Sequence, residues 1–379
     1  MKVFINALGS NFRNDPNYLG RFLSALTDTK SNLIDKPEYL VVTKEKLNLC
    51  STEPKVRAVK IPEFLTSNLI GRFFCEFFCF PIYFKIKGVQ TVVTWSPLGP
   101  VFGVPNLINF QTTPEYFSRS ALFQLSFKSR LFFLIKKCLN FVALRKSHKI
   151  VVPSEFMASE IQKAFPDLEP ERLIVFPPAV ESPDIEVAGI SNHLVSSTRS
   201  AAMTFFYPCY LETQKGLDIL FRGLGKLKRI DKLDFRLLLP LKLNDSTEIG
   251  TRLAAILHQE QIKNEVVFLG GLTDRELDYV FRNSTAVVFT SRIESFSYPL
   301  AQALSYSLPA VASDTPVNRE ICQNVALYYS SQDSDSLALQ LKAVYNPQVR
   351  KQLSQEAKSQ FESRDWSWST YVREFEKLL

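Results

Sequence analysis

The sequence predicts an α/β protein of two tandem domains, and three observations carry that prediction. A chain of 379 residues exceeds what one hydrophobic core usually serves. Strand-like apolar runs alternate with helical periodicities along most of its length, which implies crossover units and mostly parallel sheets. The alternation lapses over Val180 to Ser200, a polar stretch containing proline and serine that reads as a linker. With 46% hydrophobic and 22% charged residues and a mean hydropathy of -0.02, the composition is that of a folded globular chain and excludes disorder.

Lys2 to Leu8 is apolar and β-branched, Gly9 to Asn11 break the run, and Tyr18 to Leu26 resumes with helical spacing. This opening lacks the long apolar stretch of a secretory signal and reads as a first strand. Strands follow at Tyr39 to Val42, Val56 to Ile61, Gln90 to Thr94, Asn106 to Phe110 and Lys149 to Val152, with helices at Leu69 to Ile86 and Ser126 to Arg145. Beyond the linker, strands are expected at Met203 to Tyr207, Phe235 to Leu241, Val266 to Leu269, Ala286 to Thr290 and Ala310 to Ser313. Helices are expected between them at Gly216 to Leu227, Glu248 to Gln259, Asp274 to Arg282 and Pro299 to Tyr306. Trp366 to Leu379 is an aromatic-rich amphipathic helix. The pattern reads as two Rossmann-like domains, 1–185 and 200–362, with a closing helix at 366–379.

No apolar run reaches the roughly 20 residues of a membrane-crossing helix, because Glu76, Lys85 and Lys87 interrupt the greasiest stretch. The six cysteines lack zinc spacing, so reduced thiols in the cytoplasm are the simplest expectation, with Cys75 and Cys79 as core packing on a helix. A net charge of +7 suits an anionic partner, whether nucleic acid, phospholipid surface or phosphorylated substrate. No nucleic-acid module accompanies the charge, which argues against that partner. None of the three histidines, His148, His193 and His258, follows a strand with an obvious carboxylate partner, so a hydrolase triad is poorly supported.

In parallel α/β sheets ligands lie beyond the carboxyl ends of the strands, which directs attention to Arg292 to Pro316, RIESFSYPLAQALSYSLPAVASDTP. There a strand ends, a loop carries Glu294, and a helix begins near Pro299, whose first-turn amides suit a diphosphate. A second such place is FFYPCYLETQKGLDILFRGL, a strand, a turn with Lys215, and a helix from Gly216. Lysine is a point charge suited to phosphate. The triplet Asp333 to Asp335 precedes a helix and reads as its cap rather than a metal site.

These segments resemble the donor site of retaining GT-B glycosyltransferases of the GT4 (glycosyl transferases group 1) kind. The likeness extends through SHKIVVPSEFMASEIQKAF, ERLIVFPPAVE, VVFLGGLTDRELDYVFRNSTAVVFTSRIESF and RDWSWSTYVREFEKLL, densely from Ile150 onwards. It implies a GT-B fold, two Rossmann-like domains facing across a cleft with the last helix crossing back to the first. The resemblance implies catalytic roles for Lys215, which stabilises the leaving diphosphate, and Glu294, which contacts the donor sugar. It places Gly9, Tyr210, Gly216, Gly270, Gly271, Leu272, Arg292, Ser295, Phe296, Ser297, Tyr298 and Gln302 around the donor, with the base resting on the backbone of Gly270 to Leu272.

The chain departs from the family pattern in three places: Tyr210 stands for an arginine, Gln302 for a glutamate at the ribose, and Gln111, Thr112 and Thr113 for a histidine-aspartate pair. Arg292 is a candidate substitute for the missing arginine. On the acceptor side the expected residues are Gln111 and Thr112. The resemblance implies no cofactor and no catalytic metal, a nucleotide-diphosphate sugar as donor, and a saccharide or lipid-linked acceptor. The segment 126–149 interleaves Lys128, Arg130, Lys136, Lys137, Arg145 and Lys146 with apolar residues and reads either as a helix lying on an anionic membrane or as a core helix with a basic solvent face. Its membrane reading would place the protein peripherally on the inner face of the plasma membrane. A non-catalytic binding or scaffold protein on the same fold is the alternative function; an epimerase would want titratable groups that the first half does not supply.

Overall fold

The computed structural model describes residues 1–8, 18–28, 37–43, 56–66, 69–95, 99, 102–104, 106–117, 127–180, 189–199, 203–244 and 246–379. Gly9 and Cys50 lie outside the described residues, as do 181–188 of the expected linker. The chain divides into two compact units, Met1–Ala179 with Ser367–Leu379, and Val180–Trp366.

The first unit contains strands β1 (Lys2–Asn6), β2 (Glu38–Val42), β3 (Val56–Ala58), β4 (Thr91–Thr94), β5 (Leu107–Phe110), β6 (Lys149–Val152) and β7 (Leu173–Val175). All pair in parallel, in the order β3-β2-β1-β4-β5-β6-β7. Its helices are α1 (Tyr18–Asp28), α2 (Glu63–Thr66), α3 (Leu69–Phe74), α4 (Phe80–Lys87), α5 (Phe127–Lys146) and α6 (Glu155–Ala164). A π-helical turn, Cys75–Cys79, joins α3 to α4. On one sheet face Val3, Ile5, Val93, Ile108 and Phe110 pack with Phe22 of α1; on the other Phe4, Val92 and Leu107 pack under Phe80 and Phe84 of α4. That alternation is the period-2 pleat of the strands.

The second unit contains α7 (Asn192–Arg199), β8 (Thr204–Phe206), α8 (Leu217–Arg229), β9 (Arg236–Leu239), α9 (Glu248–Gln259), β10 (Val266–Phe268), α10 (Asp274–Arg282) and β11 (Ala286–Phe289). It continues through α11 (Tyr298–Ser305), β12 (Ala310–Ser313), α12 (Pro316–Cys322), β13 (Ala326–Tyr329), α13 (Ser334–Ala343) and α14 (Pro347–Glu362). The sheet is parallel in the order β10-β9-β8-β11-β12-β13, so its strand order reverses between β8 and β11. This is the doubly wound arrangement in which the crevice at the reversal binds ligands.

Two expectations need correction. The stretch read as linker contains α7, because Leu194 buries against Phe206, Leu238 and Tyr279 while the Ser191 hydroxyl accepts from the Leu194 amide at 3.3 Å. Trp366, grouped from sequence with the last helix, packs in the second unit against Phe296, at a centroid distance of 5.8 Å. The helix itself, α15 (Trp368–Leu378), belongs to the first unit, where Tyr371, Val372 and Phe375 complete the core over α1. Asp333 caps α13, accepting from the amides of Asp335 at 2.8 Å and Ser336 at 3.1 Å. Among the described residues no helix is long and apolar enough to cross a membrane.

Candidate active site

Lys215 and Glu294 leave from the two strands that flank the reversal, Lys215 after β8 and Glu294 after β11. The ammonium of Lys215 donates to Glu294 Oε1 at 2.7 Å, with the two side chains only 9% and 12% exposed. Burial alone would lower the lysine pKa, but the adjoining Glu294 charge and its hydrogen bond outweigh that and raise it above its ordinary value. Lys215 is therefore a fully charged cation at neutral pH, held in a site shielded from water.

The backbone that presents it is tightly built. Thr213–Lys215 form a single 3-10 turn, and Gly216 then adopts φ +66° before α8 begins. A Cβ on Gly216 would stand 2.2 Å from the Thr290 carbonyl oxygen, so only glycine lets the two post-strand loops approach this closely. The Lys215 carbonyl accepts from Tyr207 Oη and from Thr290 Oγ1, each at 2.8 Å.

From Tyr207 a buried polar chain runs across the carboxyl ends of the strands. Its hydroxyl lies 3.0 Å from Ser291 Oγ; the Ser291 carbonyl accepts from Ser313 Oγ at 2.8 Å. Asn318 Nδ2 donates to the Ser313 carbonyl at 2.8 Å, and the Ser297 hydroxyl donates to Asn318 Oδ1. Satisfied buried networks of this kind fix geometry, here that of the loop carrying Glu294 between Ser291 and Ser297. Tyr207, Thr290, Ser291, Ser313 and Asn318 were not singled out in the sequence; for the first four the one local signal is position, at or just after strand ends, while Asn318 lies in the first turn of α12.

Arg292 is committed elsewhere. One of its terminal nitrogens contacts both Asp218 oxygens at 2.8 Å, the other donates to the Thr213 carbonyl, and its amide donates to the Gln214 carbonyl at 2.7 Å. It thus pins the β11 loop to the turn that presents Lys215. At the start of α11 the amides of Tyr298, Leu300 and Ala301 donate to the carbonyls of Phe296 and Ser297, and Pro299 has no N–H. Phe296 is buried, and Gln302, one turn into the helix, is 8% exposed. Tyr210 and Ser295 are half-buried in the two loops.

Gly270 and Gly271 follow β10, two strands away from β8. Gly270 has φ +76°, and its amide donates to the Leu241 carbonyl at 3.2 Å. A Cβ on Gly271 would meet nothing within 4 Å, leaving that backbone face open, while Leu272 packs on the core beneath.

Gln111 and Thr112 belong to the other unit, just past β5. The Gln111 amide donates to the Val151 carbonyl at 2.8 Å, yet its carboxamide is 1% exposed with neither polar atom hydrogen-bonded, and Asn109 one pleat earlier is in the same state. Each such atom costs about 1–3 kcal/mol until it finds a partner. On the same sheet face, Asn6 Nδ2 donates to Glu76 Oε1 at 3.2 Å, and the Arg72 Nε donates to that same oxygen at 3.2 Å. His148 is accounted for structurally, its Nδ1 accepting from the Leu107 amide at 3.1 Å. No cluster of three or more metal-ligating side chains occurs among the described residues.

Residues 202–360 match the family described as "Glycosyl transferases group 1". The serotype-specific mannosyltransferase WbdA of Escherichia coli is 27% identical over 139 residues, 37% of this chain and 17% of WbdA. The O-antigen chain mannosyltransferase RfbU of Salmonella typhimurium is 29% identical over 98 residues, 26% of this chain and 28% of RfbU. The matches thus span about a sixth to a quarter of these relatives' lengths. Among solved structures, HepE of Anabaena in complex with UDP superposes with a TM-score of 0.69 at 14% identity, covering 99% of this chain and 98% of HepE. Residues 202–360 thus resemble a glycosyl transferases group 1 domain, and the chain has a GT-B fold of two Rossmann-like units.

Proposed function

We propose that the protein is a retaining glycosyltransferase of the GT4 kind, moving a hexose from a nucleotide-diphosphate sugar to a saccharide or lipid-linked acceptor in surface polysaccharide or glycolipid synthesis. The observation that carries this reading is the buried Lys215–Glu294 pair, 2.7 Å apart at the strand-order reversal. A bound donor would exchange that contact for two others. Lys215 moves its charge to the diphosphate, where negative charge grows as the glycosidic bond breaks, and Glu294 accepts from hydroxyls of the sugar. The acceptor oxygen bonds to the anomeric carbon on the face the diphosphate leaves, and the departing phosphate oxygen takes the acceptor's proton, so no protein nucleophile is needed. Gln302 hydrogen-bonds the ribose, and Gly270 to Leu272 support the base.

The UDP in the HepE complex and the mannosyl transfer named for WbdA and RfbU support a nucleotide-linked hexose as donor. The reading includes no cofactor, no metal, a cytoplasmic location, and contact of segment 126–149 with an anionic membrane surface.

One observation favours a second reading, a non-catalytic binding or scaffold protein: Arg292 is held by Asp218 and so does not replace the cation absent at Tyr210. A panel of nucleotide sugars, assayed by calorimetry and by release of free nucleotide with and without a chelator, separates the two. The enzyme reading expects one donor to bind and turn over regardless of chelator, and Lys215→Ala to abolish turnover. Binding by no donor would favour the scaffold.

A further inference from the structure

The first unit has a strand-order reversal of its own, between β1 and β4, and the buried side chains change character at its carboxyl ends. Phe4, Val92 and Leu107 stand side by side in register on β1, β4 and β5, packed under α4. One pleat further toward the carboxyl ends, on the same face, the three residues in register are Asn6, Thr94 and Asn109. All three are fully buried. A face serving stability alone would continue in apolar side chains, because burying a polar group costs free energy unless it is hydrogen-bonded.

The row extends at both ends. Glu76, on the π turn, is also fully buried; its Oε1 accepts from Asn6 and Arg72, while its Oε2 has no partner. Gln111 is the next residue of this face after Asn109, and the resemblance named it alone among these residues. Asn6 is engaged, donating from Nδ2 to Thr94 Oγ1 at 3.3 Å and accepting at Oδ1 from the Leu8 amide at 3.2 Å. The atoms left without hydrogen bonds are Glu76 Oε2 and the carboxamide oxygen and nitrogen of both Asn109 and Gln111.

These atoms dictate the chemistry of a ligand. The three oxygens accept, and the two amide nitrogens donate. A phosphate, which mainly accepts, would meet the Glu76 carboxylate and two carbonyl oxygens. An ammonium group only donates and would leave both amide nitrogens unserved. A hydroxyl does both, and a ring bearing several hydroxyls brings no charge to be desolvated.

We propose that Glu76, Asn109 and Gln111, with Asn6 positioning the Glu76 carboxylate, form a recognition site for the hydroxyls of a neutral sugar at the carboxyl ends of β1, β4 and β5. The atoms are buried and unbonded in the unliganded chain, so a sugar that reaches them recovers the free energy their burial forfeits. In the proposed transfer this sugar is the terminal unit of the acceptor, and to that extent the inference rests on that reading. The binding itself needs no donor.

The test is calorimetric titration of the full chain, without nucleotide, against neutral sugars: glucose, galactose, mannose and their α-linked disaccharides. At least one should bind, and inorganic phosphate should not displace it. Asn109→Leu and Gln111→Met, each close in volume to the original, should each weaken that sugar about tenfold or more. Neither should lower the urea midpoint, since an apolar group of like shape removes the penalty of an unbonded polar one. Nucleotide-diphosphate binding, a separate readout of the second unit, should be unchanged in both variants, so that failure here and failure of the donor-site reading are distinguishable. Absence of binding by every neutral sugar, undiminished affinity in either variant, or displacement by phosphate would overturn the proposal. So would a lowered urea midpoint in both variants, the result expected of carboxamides already satisfied by internal water.

Discussion

Replacing Lys215 by methionine and Glu294 by glutamine, singly and together, measures what the pair is worth. At 2.7 Å two unit charges attract by about 6 kcal/mol at an effective dielectric of about 20, and desolvation of both ions offsets much of that. Lys215→Met strands a carboxylate that is 12% exposed, and should cost about 3 kcal/mol, the lower end for a broken buried pair. Glu294→Gln keeps a hydrogen-bond acceptor for the ammonium and should cost about 1–2 kcal/mol. The double variant leaves no stranded charge, so its cost should fall below the sum by about 2 kcal/mol. Urea unfolding, with hydrogen exchange at the β8 and β11 amides to isolate this unit, provides the assay. The pH dependence fixes the sign. Because the Lys215 pKa is raised on folding, the stabilisation is fully present below the unfolded lysine value and is lost only as pH climbs through the folded one. The Lys215→Met deficit should thus be the same at pH 7 and pH 9. Additive single costs, or a deficit already shrinking over that interval, would refute the argument.

Gly216→Ala combines a left-handed backbone, costing about 1–2 kcal/mol, with a contact of 2.2 Å to the Thr290 carbonyl; a loss of about 3 kcal/mol or more in thermal unfolding, with donor binding lost, is expected, and a near-neutral effect would mean the loops separate freely. Gln302→Glu should tighten donor binding about fivefold by calorimetry, the gain of a charged over a neutral acceptor, and unchanged affinity would remove Gln302 from the ribose.

Most strands and helices were legible because each carries one dominant period, 2 or 3.6, over a buried face; β7 and β13 were not among the strands read from that period. α7 was not, since only Leu194 and Val195 among its eight residues are apolar and its stability comes from docking on Phe206 and Leu238. The pairing of Lys215 with Glu294 joins residues 79 apart, and no local pattern predicts such a contact; the resemblance alone put both at one site. The role of Arg292 was hidden for the same reason, its partner Asp218 lying 74 residues earlier. Resemblance reports where a cation stands, while only the fold reports what already occupies it. The π turn Cys75–Cys79 has no sequence signature.

The placement of α15 has a consequence for synthesis. The first unit is begun by β1, but Tyr371 and Phe375, which pack against Phe22 at 5.8 and 5.0 Å, emerge from the ribosome only after the whole of 180–366 has been made. At roughly 5–20 residues per second that delay is about 10–40 s. During this interval Phe22, Phe110 and Phe176 lack the helix that covers them, and the second unit, contiguous in sequence, can mature first. The unit that is begun first is thus the one completed last.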